Sequence, residues 1–435
     1  MYAIDRTLDA AVSETGTHAP FMAWLTILGC VVLLAGCSPR PSAVQHINEP
    51  SVGGDQAGDV SLAVDPVKHD LLMSWVAGDE RGFRIWFARS ADEGMHWSTP
   101  VAVTPEGEPL RMQPESSPKL VCDDRGWVAI GYSTSFEVKG QPWLASDFKF
   151  VRSLDGGATW GGPSFVNDDT ARGPGRHSHF GVSQTVSGAL VAAWLDSRVG
   201  ADSVGRDPTD AHDASIHLAR SEDFGVSWGP NVSQWSRVCP SCRASVAVDP
   251  TGAFYVTFRK HYPGQIRDVV VGRPDGPTVR LYEDRWTQDS GPDASPALEM
   301  SRDGTLRMAW FTGAAGRTGV YFRQSTPEVL DSTTTPIMVL RSEQLPTVHL
   351  SLVEAGMSGT LLACDADSTG ERQVTLARVV PSGRRVAERF ILPDSKDASY
   401  ARLAVAPGGR KAYVAWTRRD GARTSIRMAK WDVGR

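Results

Sequence analysis

The sequence contains no cluster of basic residues, and lysine is sparse beside arginine. Lysine and arginine together number 45 in 435 residues against 50 aspartates and glutamates, which leaves a formal net charge of −5. Proteins that bind nucleic acid need a concentrated positive surface, so nucleic acid is not expected as a partner. Strong helical periodicity is also missing, whereas 42 glycines and 28 prolines suit a chain with many turns.

The sequence has only one long apolar segment, at residues 21–36. It is shorter than the ~20 residues that a membrane-spanning helix needs, and it ends in Leu34-Ala35-Gly36-Cys37. This ending resembles a bacterial lipobox, which implies that residues 1–37 are a lipoprotein signal peptide and that Cys37 carries the lipid. Because Ser38 follows, with no aspartate there, the resemblance implies an exported protein at the outer membrane, on its periplasmic or surface side. A simple uncleaved anchor is the alternative.

Seven stretches of the chain share one plan, in which an alternating apolar strand, a turn with Gly or Asp, and a second strand follow one another. They begin at Ser61, Pro118, Gly181, Ala244, Pro296, Leu350 and Ala401. Alternation around a turn is typical of β-hairpins, and a spacing of roughly 50–65 residues suits one four-stranded blade per repeat. The sequence therefore predicts an all-β chain with a single β-propeller of six or seven four-stranded blades, seven favoured, over residues 61–435.

The last repeat ends at residue 435 after only three strands. Residues 38–60 are predicted to be a tether, and the segment 42–47 within it could supply the missing outer strand. That pairing would close the ring between the first and last blades and remove exposed strand edges.

Three of the repeats carry a tighter motif after their third strand. It reads RSADEGMHW from Arg89, RSLDGGATW from Arg152 and RSEDFGVSW from Arg220. These motifs resemble the Asp boxes, S-x-D-x-G-x-x-W, of sialidases and many other propellers. In each, Asp should accept backbone N–H groups, Gly should take a positive φ, and Trp should pack between strands. The motif therefore indicates a propeller fold, and it does not indicate a particular chemical activity.

The third repeat, GALVAAWLDSR followed by an acidic loop and an Asp box, resembles a stretch of bacterial sialidases. The resemblance places Asp210 at the general acid/base position, with Asp213 in the same loop; a solvated acidic loop is the alternative. Tyr400, in SYARL, is similar to the strand start that carries the sialidase nucleophile, which a carboxylate must activate. An aromatic residue at the blade mouth is the alternative.

Arginines are expected to hold a substrate carboxylate bidentately. Arg259 matches one sialidase arginine in position, and Arg267 and Arg323 are looser candidates. The F/Y-R-I-P motif of the family is absent, and Arg243 stands where the glutamate partner of the tyrosine is expected. These departures argue against hydrolysis of sialic acid. They leave an envelope lipoprotein that binds a glycan or small molecule, or a divergent exo-glycosidase, and neither activity needs a cofactor.

The segment Cys239-Pro240-Ser241-Cys242 supports a different hypothesis. It precedes the innermost strand of the fourth repeat, as His177 and His179 precede that of the third. Thiolates and imidazoles gathered at the mouth of a propeller would suit copper or zinc, and the protein would then be a metal-binding or redox protein. A structural disulfide between Cys239 and Cys242 is the equal alternative. A scaffold for unknown protein partners is a third hypothesis, which the sequence neither supports nor excludes.

Overall fold

The computed structural model describes residues 43–51, 56–170, 173–198, 214–274, 276–289, 292–341, 348–366 and 372–434. The chain divides into two compact units, Met1–Pro39 and Arg40–Arg435, and all described residues belong to the second. The predicted signal peptide and Cys37 lie outside the described residues. Within the described ranges, no helix is long and apolar enough to span a membrane.

The described part of the chain consists of 30 strands and three short 3-10 turns, with no α-helix, so the all-β prediction is confirmed. The first sixteen strands are β1 Ala43–Ile47, β2 Gln56–Val64, β3 Leu71–Asp79, β4 Gly82–Ser90, β5 Val101–Ala102, β6 Lys119–Cys122, β7 Val128–Ser133, β8 Phe136–Glu137, β9 Leu144–Ala145, β10 Phe148–Ser153, β11 Ser164–Phe165, β12 His177–Gln184, β13 Leu190–Asp196, β14 Ser215–Ser221, β15 Val232–Ser236 and β16 Ser245–Val248. The others are β17 Phe254–Tyr262, β18 Ile266–Gly272, β19 Thr278–Arg280, β20 Ala297–Met300, β21 Leu306–Thr312, β22 Gly319–Ser325, β23 Ile337–Arg341, β24 Leu350–Glu354, β25 Thr360–Cys364, β26 Thr375–Val379, β27 Val386–Ile391, β28 Ala398–Val405, β29 Lys411–Asp420 and β30 Arg423–Asp432. The 3-10 turns are Pro114–Ser116, Pro327–Val329 and Gly356–Ser358.

The strands form antiparallel groups of four that follow the sequence repeat. Five groups are separate sheets, namely β6-β7-β10-β11, β12–β15, β16–β19, β20–β23 and β24–β27. An eight-stranded sheet contains the first group, β2–β5, and the last, β28–β30 with β1. The strands β8 and β9 form a small additional hairpin. Each predicted repeat thus corresponds to one group of four strands.

The second strand of a group is buried along nearly its whole length, as in β13 and β21. Such a strand is apolar on both faces because another group packs against each face. A fully buried tryptophan stands at the same place in four of these strands: Trp75, Trp194, Trp310 and Trp416.

The apolar cores lie between the groups. Each core combines residues from two groups that are neighbours in the chain; Phe87 of the first group, for example, packs with Ile130 and Val151 of the second. Another core joins Trp75 of the first group to Met428 of the last. The first strands also contact one another in turn, from β2 through β6, β12, β16, β20 and β24 to β28, which contacts β2 again. The start of every group therefore lies at one shared axis.

The segment predicted to complete the last repeat forms a strand. β1 pairs antiparallel with β30, from Ala43 opposite Asp432 to Ile47 opposite Met428. Ile47 is buried in the core that the first and last groups share. β1 is therefore the fourth strand of the last group, although it precedes the first group in the chain.

The three Asp boxes have the predicted local geometry. In the second box, Ser153 donates to Asp155 (2.7 Å), the Gly157 N–H donates to Ser153 (2.8 Å), and the Thr159 N–H donates to Asp155 (2.9 Å). Trp160 packs edge-on against Phe87 of the neighbouring group, with ring centroids 5.3 Å apart. The box therefore closes a turn and seals a junction between two groups.

Substitution of Gly157 with alanine should destabilise this junction. Gly157 has a φ of +92°, and a Cβ there would lie 2.0 Å from the Phe87 ring, so backbone strain and overpacking add together. We expect the free energy of unfolding to fall by about 2–4 kcal/mol. Urea denaturation measures it, with Gly162→Ala as the matched control, because a Cβ at Gly162 has nothing within 4 Å. Equal stability of the two variants would contradict the prediction.

Candidate functional site

Three first strands contain a bulge, and each bulge holds a non-glycine residue with positive φ. The register shifts between Gly58 and Ser61, between Ser178 and Gly181, and between Ser399 and Arg402. Asp59, His179 and Tyr400 take φ values of 51°, 56° and 55° at these bulges. Non-glycine residues in this region carry strain and are enriched at functional sites.

The other four groups place a polar residue shortly before their first strand. These residues are Glu115 in the 3-10 turn before β6, Arg243 before β16, Asp293 before β20 and His349 before β24. Together with Asp59, His179 and Tyr400 they form what we call the mouth cluster, to which every group contributes one member. Because the first strands contact one another in turn, these residues from distant parts of the chain meet at one end of the axis.

Two cavities open at this end of the described structure. The first has a volume of about 500 Å³, and Glu115, Arg176 and His179 are among its lining residues. The second has a volume of about 560 Å³, and His349 and Arg372 help to line it. Asp293 and Tyr400 line both cavities, so the two form one cleft with Tyr400 at its centre.

His349 and Asp365 hold Tyr400 in place. Its ring stacks on His349 with centroids 3.7 Å apart. Asp365, which is fully buried just after β25, accepts the Tyr400 backbone N–H (3.1 Å), the His349 ring Nδ1–H (2.5 Å) and Arg372 Nη1–H (3.1 Å). Burial raises the pKa of Asp365, but His349 and Arg372 outweigh that effect and lower the pKa to about 2. The network therefore fixes the tyrosine around a permanent negative charge.

Glu115 lies on the other side of His349. Its Oε1 is 3.4 Å from His349 Nε2, and Ser295 donates to its Oε2. Burial raises the pKa of Glu115, yet the charges of Arg243 and His349 and the Ser295 hydroxyl hold it below its usual range. Burial, followed by Glu115, Asp365 and Asp293, raises the pKa of Tyr400. The cleft thus presents an ionised carboxylate beside a neutral phenol.

Positive charge gathers close to that carboxylate. Arg243 is 7 % exposed, and its Nη1 has no hydrogen-bond partner among the described residues. Desolvation and the charge of Arg243 lower the pKa of Arg402 to about 10. Arg402 donates to Ser117 (3.2 Å), and Lys119 donates to the same hydroxyl (2.9 Å). A buried guanidinium N–H without a protein acceptor suits an anionic ligand.

Of the predicted catalytic residues, the structure brings Tyr400 into the cleft. Asp210 and Asp213 lie outside the described residues. Arg243 belongs to the mouth cluster, and its charge lowers the pKa of Glu115, but it lines neither cavity. Its role in substrate binding stays a prediction.

The other three predicted substrate-binding arginines hold backbone instead. Arg259 is 1 % exposed and donates to the carbonyls of Arg267, Ala294 and Phe311. Arg267 donates to the Gln288 carbonyl (2.9 Å), and Arg323 to the Leu281 carbonyl (3.2 Å). None of the three lines either cavity. Their side chains tie neighbouring strands and loops together, so the sequence prediction for these arginines is corrected to a structural role.

The four predicted metal ligands do not form one cluster. His177 is 1 % exposed and lies with Nδ1 3.0 Å from Asp196 and Nε2 3.2 Å from Asp169, which raise its pKa to about 9 against the effect of burial. His179 faces the first cavity, and desolvation lowers its pKa to about 4. Cys239 and Cys242 contact each other. Within the described ranges, no group of three or more His, Cys, Asp or Glu residues could hold a metal ion.

Sequence reasoning missed Glu115, His349 and Asp365. The first two stand shortly before the first strands of their groups, the same place as Cys242-Arg243 in the fourth group. An alignment of the seven repeats at the start of their first strands would have identified Glu115 and His349. Asp365 follows a second strand, as Asp196 ends one, and only the contacts identify it.

Comparison with known proteins confirms the fold type. No protein-family model matches the chain, and no curated protein matches it in sequence. Among solved structures, a protein of unknown function from Dyadobacter fermentans DSM 18053 is 14% identical, with 90% of this chain and 99% of that chain covered and a TM-score of 0.50. A PL25 ulvan lyase bound to -[GlcA(1-4)Rha3S]- is 11% identical (87% and 94% covered, TM-score 0.51). The GH93 α-L-arabinofuranosidase of Fusarium graminearum with arabinobiose is 13% identical (88% and 96% covered, TM-score 0.51). The chain is thus similar in fold to β-propeller proteins, two of them glycan-active enzymes.

Proposed function

We propose that the protein binds the acidic end of a glycan in this cleft and cleaves it as a divergent exo-glycosidase. One observation carries the proposal: Tyr400 stands at a strained bulge, at the junction of two cavities, close to the buried pair Glu115 and Arg243. The ulvan lyase and the arabinofuranosidase share the fold and act on glycans, but the proposal for this chain rests on its own cleft.

The proposed scaffold is a closed propeller of seven blades. Seven groups of four strands, a core between each pair of neighbours and the pairing of β1 with β30 support it within the described residues. In this arrangement the mouth cluster is the ring of residues around one opening of the central channel. An export signal and a lipid anchor at Cys37 belong to the same proposal, and they rest on the lipobox resemblance alone.

In the proposed reaction, Tyr400 attacks the anomeric carbon while its phenolic proton passes to Glu115. The glycosidic C–O bond breaks, and an acid protonates the leaving oxygen. Asp293 suits that role, because it lines both cavities and partial desolvation raises its pKa. Asp210 is the candidate that the sialidase resemblance implies. Water then attacks the anomeric carbon and cleaves the bond between tyrosine and sugar; the water gives one proton to the carboxylate that acted as the acid, and Glu115 returns its proton to Tyr400.

The acidic sugar is inferred from the arginines. Arg176 lines the first cavity, and Arg243 and Arg402 place positive charge close to Glu115 on the wall of that cavity. This positive charge favours a carboxylate or sulfate next to the reacting carbon. Arg243 stands where the sialidase glutamate is expected, and Glu115, from another group, supplies the carboxylate instead. The proposed chemistry therefore still uses a tyrosine and a carboxylate. The carboxylate comes from a different group of strands than the sialidase resemblance implies.

The test is a panel of methylumbelliferyl glycosides of N-acetylneuraminic acid, glucuronic acid and arabinofuranose, with calorimetry on the free sugars. We expect an acidic sugar to bind and to be released from its glycoside. Arg243→Lys should weaken binding at least ~10-fold, because lysine cannot form the bidentate pair. Arg81→Lys, at an exposed turn, is the matched control. Binding of the neutral sugar alone, or equal affinity in the Arg243→Lys variant, would refute the proposal.

A further inference from the structure

A pair of buried cysteines directly precedes Arg243 of the mouth cluster in the chain. Cys239 and Cys242 are each 1 % exposed, and their Sγ atoms are 2.7 Å apart, closer than two non-bonded sulfur atoms pack. The backbone therefore holds both side chains facing each other. Among the described residues no third ligand joins them, which favours a bond between the two sulfurs over a shared metal ion.

The segment from Cys239 to Ala244 links the interior to the mouth cluster. At its start, the Cys239 N–H donates to the Arg259 carbonyl (2.9 Å). At its end, the Arg243 N–H donates to Ser295 Oγ (2.7 Å), and that hydroxyl donates to Glu115. The Ala244 N–H donates to the carbonyl of His179 (2.9 Å). A change in the position of Cys242 would therefore move Arg243 and the hydroxyl contact to Glu115.

We propose that Cys239 and Cys242 form a disulfide that positions Arg243 relative to Glu115 in the mouth cluster. Each thiol loses one hydrogen as the S–S bond forms, and an external disulfide such as oxidised glutathione accepts the two electrons and two protons and leaves as two thiols. The disulfide forms while the segment is still accessible during folding. Its effect on ligand binding rests on the proposed function, whereas its formation does not.

The two thiols have different electrostatic surroundings in the folded chain. Burial raises the pKa of Cys239, but a hydrogen bond from the Cys242 thiol, one from the Ser241 backbone and the charges of Arg259 and Arg267 lower it to about 7. Burial and the neighbouring Cys239 raise the pKa of Cys242. In the folded chain Cys239 is therefore the more acidic of the two thiols.

A tryptic peptide provides a direct test, because residues 238–243 contain both cysteines between Arg237 and Arg243. The full chain is refolded in the presence of oxidised glutathione and is then denatured, alkylated with iodoacetamide and digested. We expect this peptide to be unalkylated and about 2 Da lighter than its reduced form. Cys122→Ser should leave the result unchanged, and Cys239→Ser should make Cys242 reactive. Reactive thiols at both positions in the oxidised full chain, or zinc or copper retained by them, would overturn the proposal.

Sugar binding tests separately whether the disulfide positions Arg243. Reduction of the full chain, or the double variant Cys239→Ser/Cys242→Ser, should weaken binding of glucuronic acid and N-acetylneuraminic acid about 10-fold, whereas Cys122→Ser should not. A disulfide whose reduction leaves the affinity unchanged would refute the positioning role. If neither sugar binds in either redox state, the proposed function fails, and the peptide mass still decides whether the disulfide exists.

Discussion

Replacement of Tyr400 with phenylalanine is expected to lower kcat on an acidic glycoside by about 10²–10⁴-fold, because the substitution removes the hydroxyl that reacts and passes its proton to Glu115. Phenylalanine keeps the ring that stacks on His349 at 3.7 Å, and the backbone N–H still reaches Asp365. The variant should therefore fold normally and bind the sugar almost as well as the native protein. Steady-state kinetics with the fluorogenic substrate measure the effect.

Tyr282→Phe is the matched control for this substitution. Tyr282 packs under Arg317, with the guanidinium carbon 3.9 Å from the ring centroid, and it lines neither cavity of the cleft. Its variant should keep the native kcat. Glu115→Gln should reproduce the loss seen with Tyr400→Phe, since the amide cannot accept the phenolic proton. Native turnover in Tyr400→Phe would remove the tyrosine from the reaction and leave only a binding site.

Replacement of Asp196 with asparagine is expected to lower the free energy of unfolding by about 3–5 kcal/mol, because it leaves buried positive charge without its partner. Asp196 is 1 % exposed and accepts hydrogen bonds from Trp194 Nε1 (2.8 Å), Arg198 Nη2 (2.8 Å) and the His177 ring (3.0 Å). Asparagine has nearly the same shape as aspartate, so the loss of stability measures the effect of the charge. Urea denaturation measures it, and Asp124→Asn, at an exposed turn, is the control.

The pH dependence of stability distinguishes a charge effect from a packing effect. The pKa of His177 is raised to about 9 from its ordinary 6.5, so its contribution to stability is fully present below pH 6.5 and is lost as the pH rises through 9. Asp196 and Asp169 cause that shift together. In Asp196→Asn the decline in stability over this pH range should be smaller than in the native protein. An unchanged decline, or a loss below about 1 kcal/mol at neutral pH, would contradict the assignment of Asp196 as an essential buried charge.

The sequence predicted the strands and turns well because their signals are local. Alternation of apolar residues marks each hairpin, and the three Asp boxes carry their own hydrogen bonds within a few residues. It also predicted that the segment before the first repeat would pair with the last strand, since the final repeat lacked a strand. Tyr400 was found because a family resemblance pointed to it.

The arginines show where such reasoning failed. Arg259 matches a sialidase arginine in sequence position, but its guanidinium turns between strands to three carbonyls. A position along a strand decides which face a side chain takes. It does not decide whether the side chain meets an open cleft or backbone carbonyls, because that depends on how the neighbouring group packs. Arg243, which replaces an expected glutamate, lines neither cavity and acts on Glu115 of the cleft through its charge.

The sequence by itself determined that the chain is all-β and repetitive, with one group of four strands per repeat, because alternation and turn residues act over short distances. Only the tertiary structure decided which residues come together in the mouth cluster. Glu115, Arg243, His349 and Tyr400 come from four different groups, and they meet because the first strands contact one another around a common axis. The charge of Glu115 raises the pKa of Tyr400 because of that convergence, and no local sequence pattern predicts it.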